Sequence, residues 1–400
     1  MAGSAALGLF SNRKVPSTEP RIGTPSEIVR GTDPALSLFL CGDVMLGRGI
    51  DQILPHPGDP RIYEPAMSTA RGYVELAEKA NGPIPRPVDP SYVWGDALTA
   101  LQERRPDLRI VNLETAVTRS SRAVPKGINY RMNPDNISSL TAAKVDCCVL
   151  ANNHVLDWGR EGLAETLDVL KRVGIESAGA GPGAAAARAP AILPCRENRR
   201  VLVFAYGSTS SGIPRSWAVQ ENEPGVNLLD DLSAATVARI ANQVASASRA
   251  GDILVASIHW GANWGYDVPG TLRTFAHRLI DQAGMHVVHG HSSHHPKGIE
   301  LYKQKLILYG CGDFLNDYEG IGGYEAFRSD LVVMYLPTLA FSDGRLRELA
   351  MVPFQIRNFR LNLAGKDDAA WLCRRLARES AMLGAGITLQ DGAGMVLVPK

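Results

Sequence analysis

The chain has 400 residues, 45% of them hydrophobic and 21% charged, enough for one large domain or two small ones. Its 42 basic and 41 acidic residues nearly cancel, with no basic run to hold nucleic acid and no acidic tail. No stretch approaches the roughly 18 apolar residues of a membrane helix, and the first ten residues lack a basic n-region. A cytoplasmic protein with no membrane anchor and no nucleic-acid partner is expected.

Residues 1–34, rich in Ser, Pro and charge, read as an N-terminal arm. Leu36 to Cys41 is the first predicted strand, ending in Gly42-Asp43-Val44-Met45-Leu46-Gly47-Arg48. The proline-rich stretch 51–95 reads as an insertion or lid, with a helix over Tyr63 to Asn81. A helix over Trp94 to Arg104 precedes a second strand, Arg109 to Leu113, which ends on Glu114. A carboxylate there is costly unless paired or metal-bound. The loop 119–133 carries Lys126, Tyr130 and Arg131. Asn133 and Pro134 then open a helix over Pro134 to Ala143.

Cys147 to Leu150 is a third strand, followed by Ala151-Asn152-Asn153-His154-Val155-Leu156-Asp157 and a helix over Arg160 to Val173. Short strands follow at Ile175–Ala178, Ala191–Leu193 and Val201–Ala205, with a small-residue loop over Gly179–Ala189. Asp231 to Ala250 is an amphipathic helix. Asp252 to Ile258 is a strand ending in His259-Trp260-Gly261, with Trp264 and Tyr266 just beyond. A helix over Thr271 to Gly284 leads to Val287-Val288 and a run with five histidines in ten residues: His286, His289, His291, His294 and His295. The hairpin Ile299–Tyr302 and Leu306–Tyr309 precedes Gly312-Asp313-Phe314. Leu331–Leu336 and Leu349–Phe354 are expected in a mainly antiparallel second sheet, before a helix over Asp367 to Leu383.

Strands alternate with helices and then pair, so the expected fold is an α/β sandwich of two packed sheets with helices outside. A single domain over 35–340 is completed by 341–400. The six cysteines have no metal-type spacing and lie mostly in apolar runs, so buried free thiols are expected rather than disulfides.

In open α/β sheets ligands bind beyond the carboxyl ends of strands. The strand ends here carry Asp43, Glu114, Asn153 with His154, His259, and His291 with His294. That oxygen and nitrogen set without thiolate suits a hard or borderline divalent ion. Gly42-Asp43, Asn112-Leu113-Glu114, Ala151-Asn152-Asn153-His154, His259-Trp260-Gly261 and Gly290-His291, taken in order over about 36–320, resemble the motifs of CapA-type proteins of poly-γ-glutamate capsule synthesis. The resemblance implies a calcineurin-like metallophosphoesterase fold, a four-layer α/β/β/α sandwich of two mixed sheets.

The chain departs from two-metal phosphoesterases of that fold. Met45 stands where they carry the His of Asp-x-His, Glu114 stands by order at their bridging Asp, and their closing Gly-His-x-His is one residue longer here. One divalent ion is therefore expected, held by Asp43, Glu114, Asn153, His259 and His291. Ca or Mn is favoured over Zn or Mg.

His154 with Asp157, and His294 or His295 with Asp313, are candidate acid–base pairs. Arg48 and Arg131 are candidates to hold a substrate carboxylate, and Trp260, Trp264 and Tyr266 to form an aromatic wall. Two such pairs fit proton removal and return at carbon. Soluble CapA-like proteins include lasso-peptide epimerases, so the leading expectation is a metal-dependent epimerase inverting Cα of a precursor-peptide residue. The alternatives are a metal-dependent hydrolase of phosphate esters or of amides such as polyglutamate, and a non-catalytic partner in capsule synthesis. The sequence leaves the oligomeric state open.

Overall fold

A computed structural model describes residues 34–390 and 394–399. The N-terminal arm lies outside the described residues. The first sheet runs, edge to edge, through the strands Ala385–Leu389, Met395–Pro399, Leu346–Arg357, Leu331–Ala340, Ala35–Val44, Leu108–Leu113, Cys147–Val149 and Glu176–Ala178. Asp313–Leu315 adds in parallel to Ala35–Val44, and Arg360–Leu363 adds to Leu346–Arg357. The second sheet runs Ala191–Pro194, Arg200–Gly207, Ile253–His259, Val287–His291, Lys305–Leu308 and Ile299–Tyr302.

Alternation along the second sheet explains the layering. Val201, Val203, Ala205, Ile253, Val255 and Val287 pack into the core between the sheets. Their neighbours Leu202, Phe204, Leu254, Ala256 and Val288 face outward onto the helices Ala234–Ala247 and Gly270–Ala283. Successive side chains point to opposite faces of a strand, so both faces are apolar and both are covered. The helices Asp96–Arg104 and Gly159–Arg172 supply Ala97, Leu101, Leu163, Val169 and Leu170 to the core on the first sheet. The expected four-layer α/β/β/α sandwich is present.

Three local expectations need correction. The late strands Leu331–Ala340 and Leu346–Arg357 do not form the second sheet. They extend the first, because Leu331–Ala340 pairs antiparallel with Ala35–Val44. Residues 61–69 are a hairpin, Arg61–Glu64 with Met67–Thr69, and the helix starts only at Arg71. The small-residue loop holds a short helix, Ala184–Arg188. Alanine runs favour helix once the flanking backbone is anchored.

The insertion is docked rather than loose. Asp51 accepts from the backbone of Gly58 and Asn133 and from the Asn136 amide, and Asn81 donates to Glu319. All six cysteines are free, five of them buried. Among the described residues no helix is long and apolar enough to cross a membrane.

Candidate metal centre and active site

Parallel pairing brings the strand ends together. Asp43 sits opposite Asp313 on one side and Asn112 on the other, while His259 sits opposite His291 in the second sheet. Gly42 lets the Gly312 backbone approach the strand beside Asp43: a Cβ there would lie 1.6 Å from the Gly312 carbonyl oxygen, and the Asp43 amide donates to that same oxygen at 3.0 Å.

Asp43, His259 and His291 offer donor atoms within 4.8 Å of one another, all buried. His259 Nδ1 lies 4.0 Å and His291 Nδ1 3.9 Å from Asp43 Oδ1. Glu114 Oε1 is 3.7 Å from His259 Nε2, and Asn153 Oδ1 is 3.0 Å from the same nitrogen. Asp43, His259 and His291 thus form one donor group, while Glu114 and Asn153 lie beside it at the other nitrogen of His259. Asp43 also belongs to a second group, with His294 and Asp313, at the same spacing.

A hydrogen-bond chain sets the His291 tautomer. His289 Nε2 donates to the Cys41 carbonyl at 2.8 Å, so its Nδ1 accepts from Ser257 Oγ at 3.0 Å. Ser257 Oγ in turn accepts from His291 Nε2 at 3.0 Å. His291 Nδ1 is left bare, facing Asp43 and His259. Such outer partners commonly orient metal-bound imidazoles.

The donor set fits a divalent cation. Burial, then the neighbouring Asp313, holds the Asp43 carboxyl well above the usual carboxylate range; burial and Asp43 do the same to Glu114. Asp43 Oδ2 and Glu114 Oε2 are buried with no hydrogen-bond partner among the described residues. Two such carboxylates are expensive without a counter-charge. Burial keeps His259 and His291 neutral, as ligands must be.

The two acid–base candidates differ. His154 Nδ1 is 2.6 Å from Asp157 Oδ2, and Asp157 also accepts from the Tyr130 amide at 2.7 Å. Nδ1–H donates to that carboxylate, which leaves Nε2 bare at 3.8 Å from Glu114 Oε1. Burial pushes the His154 pKa down to about 4, so it is a neutral proton acceptor. His294 pairs with Asp313 at 2.9 Å, and Asn316 donates to the other Asp313 oxygen. Burial works against the charged form of His294, but Asp313 outweighs it and raises the pKa.

His295 does not share Asp313. Its Nδ1 contacts the Pro296 carbonyl, and its ring packs among Trp264, Tyr266 and Phe327.

A cavity of about 570 Å³ opens beside His294, lined among others by Tyr73, Tyr130, Trp264, Tyr318 and Tyr324. Arg48 lines it too, but its guanidinium is held by Asp317 and Glu64. Trp264 stacks on Tyr324, with centroids 4.0 Å apart. Arg131 and Trp260 lie apart from this cavity. Arg131 stacks on Trp158 and donates to the Ser120 and Asp59 carbonyls, while Trp260 is buried against Phe275 and donates to the Tyr309 carbonyl.

Sequence reading assigned no role to Tyr130 and Tyr318. Tyr130 meets His154 edge-on and Tyr318 meets His294 edge-on. Nothing in the local pattern signals either. Asn316, just past the short strand Asp313–Leu315, donates to the Asp313 carboxylate, and no pattern in the sequence marks it.

Residues 37–318 match the family model described as bacterial capsule synthesis protein PGA_cap. The chain is 47% identical over 372 residues to a Mycobacterium tuberculosis protein named "Probable polyglutamine synthesis accessory protein", covering 92% of this chain and 97% of that one. It is 26% identical over 307 residues to the PGA biosynthesis protein CapA of Bacillus subtilis, covering 76% and 68%. A solved phosphatase of Mycoplasma pneumoniae superposes with a TM-score of 0.45 at 10% identity, over 81% of this chain and 95% of that one.

Proposed function

The chain belongs to the bacterial capsule synthesis protein family, and from that premise we propose that it serves polyglutamate synthesis as a divalent-metal-dependent hydrolase of amide bonds in a glutamate-bearing or related peptide chain. The observation that carries this reading is the buried Asp43–His259–His291 group beside the unpartnered oxygens of Asp43 and Glu114. A divalent ion in such a site polarises a carbonyl oxygen and makes water a better nucleophile at neutral pH. The chain's own groups supply the proton transfers. His154, neutral and oriented by Asp157, takes the proton of the attacking water. His294, whose charged form Asp313 favours against burial, gives one to the leaving nitrogen.

One observation favours a second reading. Two separate His–carboxylate pairs border one donor cluster, His154–Asp157 beside Glu114 and His294–Asp313 beside Asp43. Two such pairs at one site also fit removal of a Cα proton by one histidine and its return by the other, that is, epimerisation.

One incubation separates the two. Purified protein with Mn²⁺ is mixed with poly-γ-glutamate or a glutamate-containing peptide in D₂O. New amino groups, absent with chelator and in Asp43→Asn, support hydrolysis. Deuterium at Cα without new amino groups supports epimerisation. Neither product with any peptide sinks both, and phosphate released from an aryl phosphate moves the substrate class to phosphate esters.

A further inference from the structure

The loop between the strands Ala116–Val117 and Arg131–Met132 carries one lysine, Lys126, whose ammonium reaches inward. Its Nζ donates to Asp157 Oδ1 at 2.6 Å and to the backbone carbonyl of Asn153. It lies 3.2 Å from His154 Nδ1 and 5.1 Å from the centre of the Trp217 ring. The side chain is 17% exposed, against none for Asp157. A lysine ammonium is strongly hydrated and ordinarily stays in water. Here it is tied to both ends of the turn that carries Asn153, His154 and Asp157.

The geometry matters because that turn supplies two different functions. Asn153 Oδ1 touches His259 Nε2, and His154 is oriented by Asp157. Asn152 braces the start of this turn, donating to Asn112 and the Leu113 carbonyl and accepting from the His154 and Val155 amides, but it touches neither the His154 ring nor the Asp157 carboxylate. The turn runs from the end of the Cys147–Val149 strand to the start of the Gly159–Arg172 helix without regular structure. Asp157 has one oxygen on Lys126 and the other on His154 and the Tyr130 amide, so the lysine fixes the plane of the carboxylate and hence of the imidazole. Its other bond fixes the Asn153 peptide, and through it the amide beside His259 and Glu114.

We propose that Lys126 is a positioning residue that locks the Asn153–His154–Asp157 turn, setting both an amide of the metal centre and the acid–base histidine from one ammonium. The metal half rests on the divalent-ion reading above; the histidine half does not.

The test uses the full-length protein in three forms: parent, Lys126→Met and Lys126→Arg. The ¹⁵N spectrum of labelled histidine reads the His154 ring, identified by its loss in His154→Ala. Calorimetric titration with Mn²⁺ alone reads the metal centre. Lys126→Met is expected to shift the His154 nitrogens and to weaken Mn²⁺ binding by about 10- to 100-fold, the usual cost of removing an outer partner of a metal ligand. Lys126→Arg is expected to restore most of both, since a guanidinium can span the same carboxylate and carbonyl. Should Lys126→Met fail to fold, Lys126→Gln carries the same comparison. Parent-like histidine signals and parent-like Mn²⁺ affinity in Lys126→Met or Lys126→Gln overturn the proposal. If the parent itself binds no Mn²⁺, the metal reading fails, while the ring nitrogens still decide whether Lys126 orients His154.

Discussion

His259 and His291 present their Nδ1 atoms to one another at 2.8 Å. The His291 nitrogen is bare, because its other nitrogen is committed to Ser257. A proton on His259 Nδ1 closes this contact when no cation is bound; a cation beside both nitrogens replaces it, with Asp43 Oδ1 about 4 Å from both as a third donor. Mn²⁺ at 100 times its dissociation constant is therefore expected to stabilise the native state by about 2.7 kcal/mol, seen as a higher melting temperature. His259→Ala and His291→Ala should lose that gain. An unchanged melting temperature for the parent with Mn²⁺ or Ca²⁺ would count against the site.

The two adjacent histidines, His294 and His295, should behave differently. His294 holds Asp313 and borders the cavity, whereas His295 packs among aromatic rings and touches no member of the donor cluster by hydrogen bond. His294→Ala is expected to lower turnover by about 100-fold or more, the usual worth of a positioned acid. His295→Ala should lower it far less. Equal losses would show that His295 acts on substrate directly.

Arg48 is expected to be a structural cation. It is 4% exposed and bonded to Asp317 and Glu64, with its guanidinium 3.9 Å over the Tyr73 ring. Arg48→Met strands two buried carboxylates, at a cost of about 3–5 kcal/mol. Urea denaturation measures this. A loss under 1 kcal/mol or so, with a raised KM, would instead make Arg48 a substrate ligand.

Acid stability should carry the mark of Glu300. Burial raises its pKa, but hydrogen bonds from Arg273, Tyr309 and His277 outweigh burial and lower it below the usual glutamate value. A carboxylate whose folded pKa is depressed stabilises the native state above its unfolded pKa of about 4.3 and loses that contribution as pH falls through the folded value. The stability difference between parent and Glu300→Gln should thus be constant near neutrality and shrink below about pH 4. A difference that grows as pH falls would contradict the assignment.

Much of the donor set was legible because each donor follows an apolar strand. Asp43, Glu114, Asn153, His259 and His291 could be read one by one from strand ends, and parallel pairing within each sheet, with the stacking of the two sheets, then brings them to one side of the sandwich. Pairing between distant segments was not legible. That His294 rather than His295 takes Asp313 depends on the three-residue strand Asp313–Leu315 lying beside Ala35–Val44, a contact no periodicity announces. Arg48 read as a free cation because its partner Asp317 lies 269 residues away. Lys126 sat in a loop whose fold depends on Asp157. The late strands were assigned to the wrong sheet because alternation shows that a strand is half-buried, not which neighbour it pairs with.

The central claim is that Asp43 anchors a divalent-ion site. Equilibrium dialysis of the metal-free parent and of Asp43→Asn against Mn²⁺ tests it most directly, with circular dichroism showing that both are folded. The parent should bind Mn²⁺ saturably and stoichiometrically, and Asp43→Asn should lose that binding. A folded parent that binds neither Mn²⁺ nor Ca²⁺, or an Asp43→Asn variant that binds as the parent does, would contradict it.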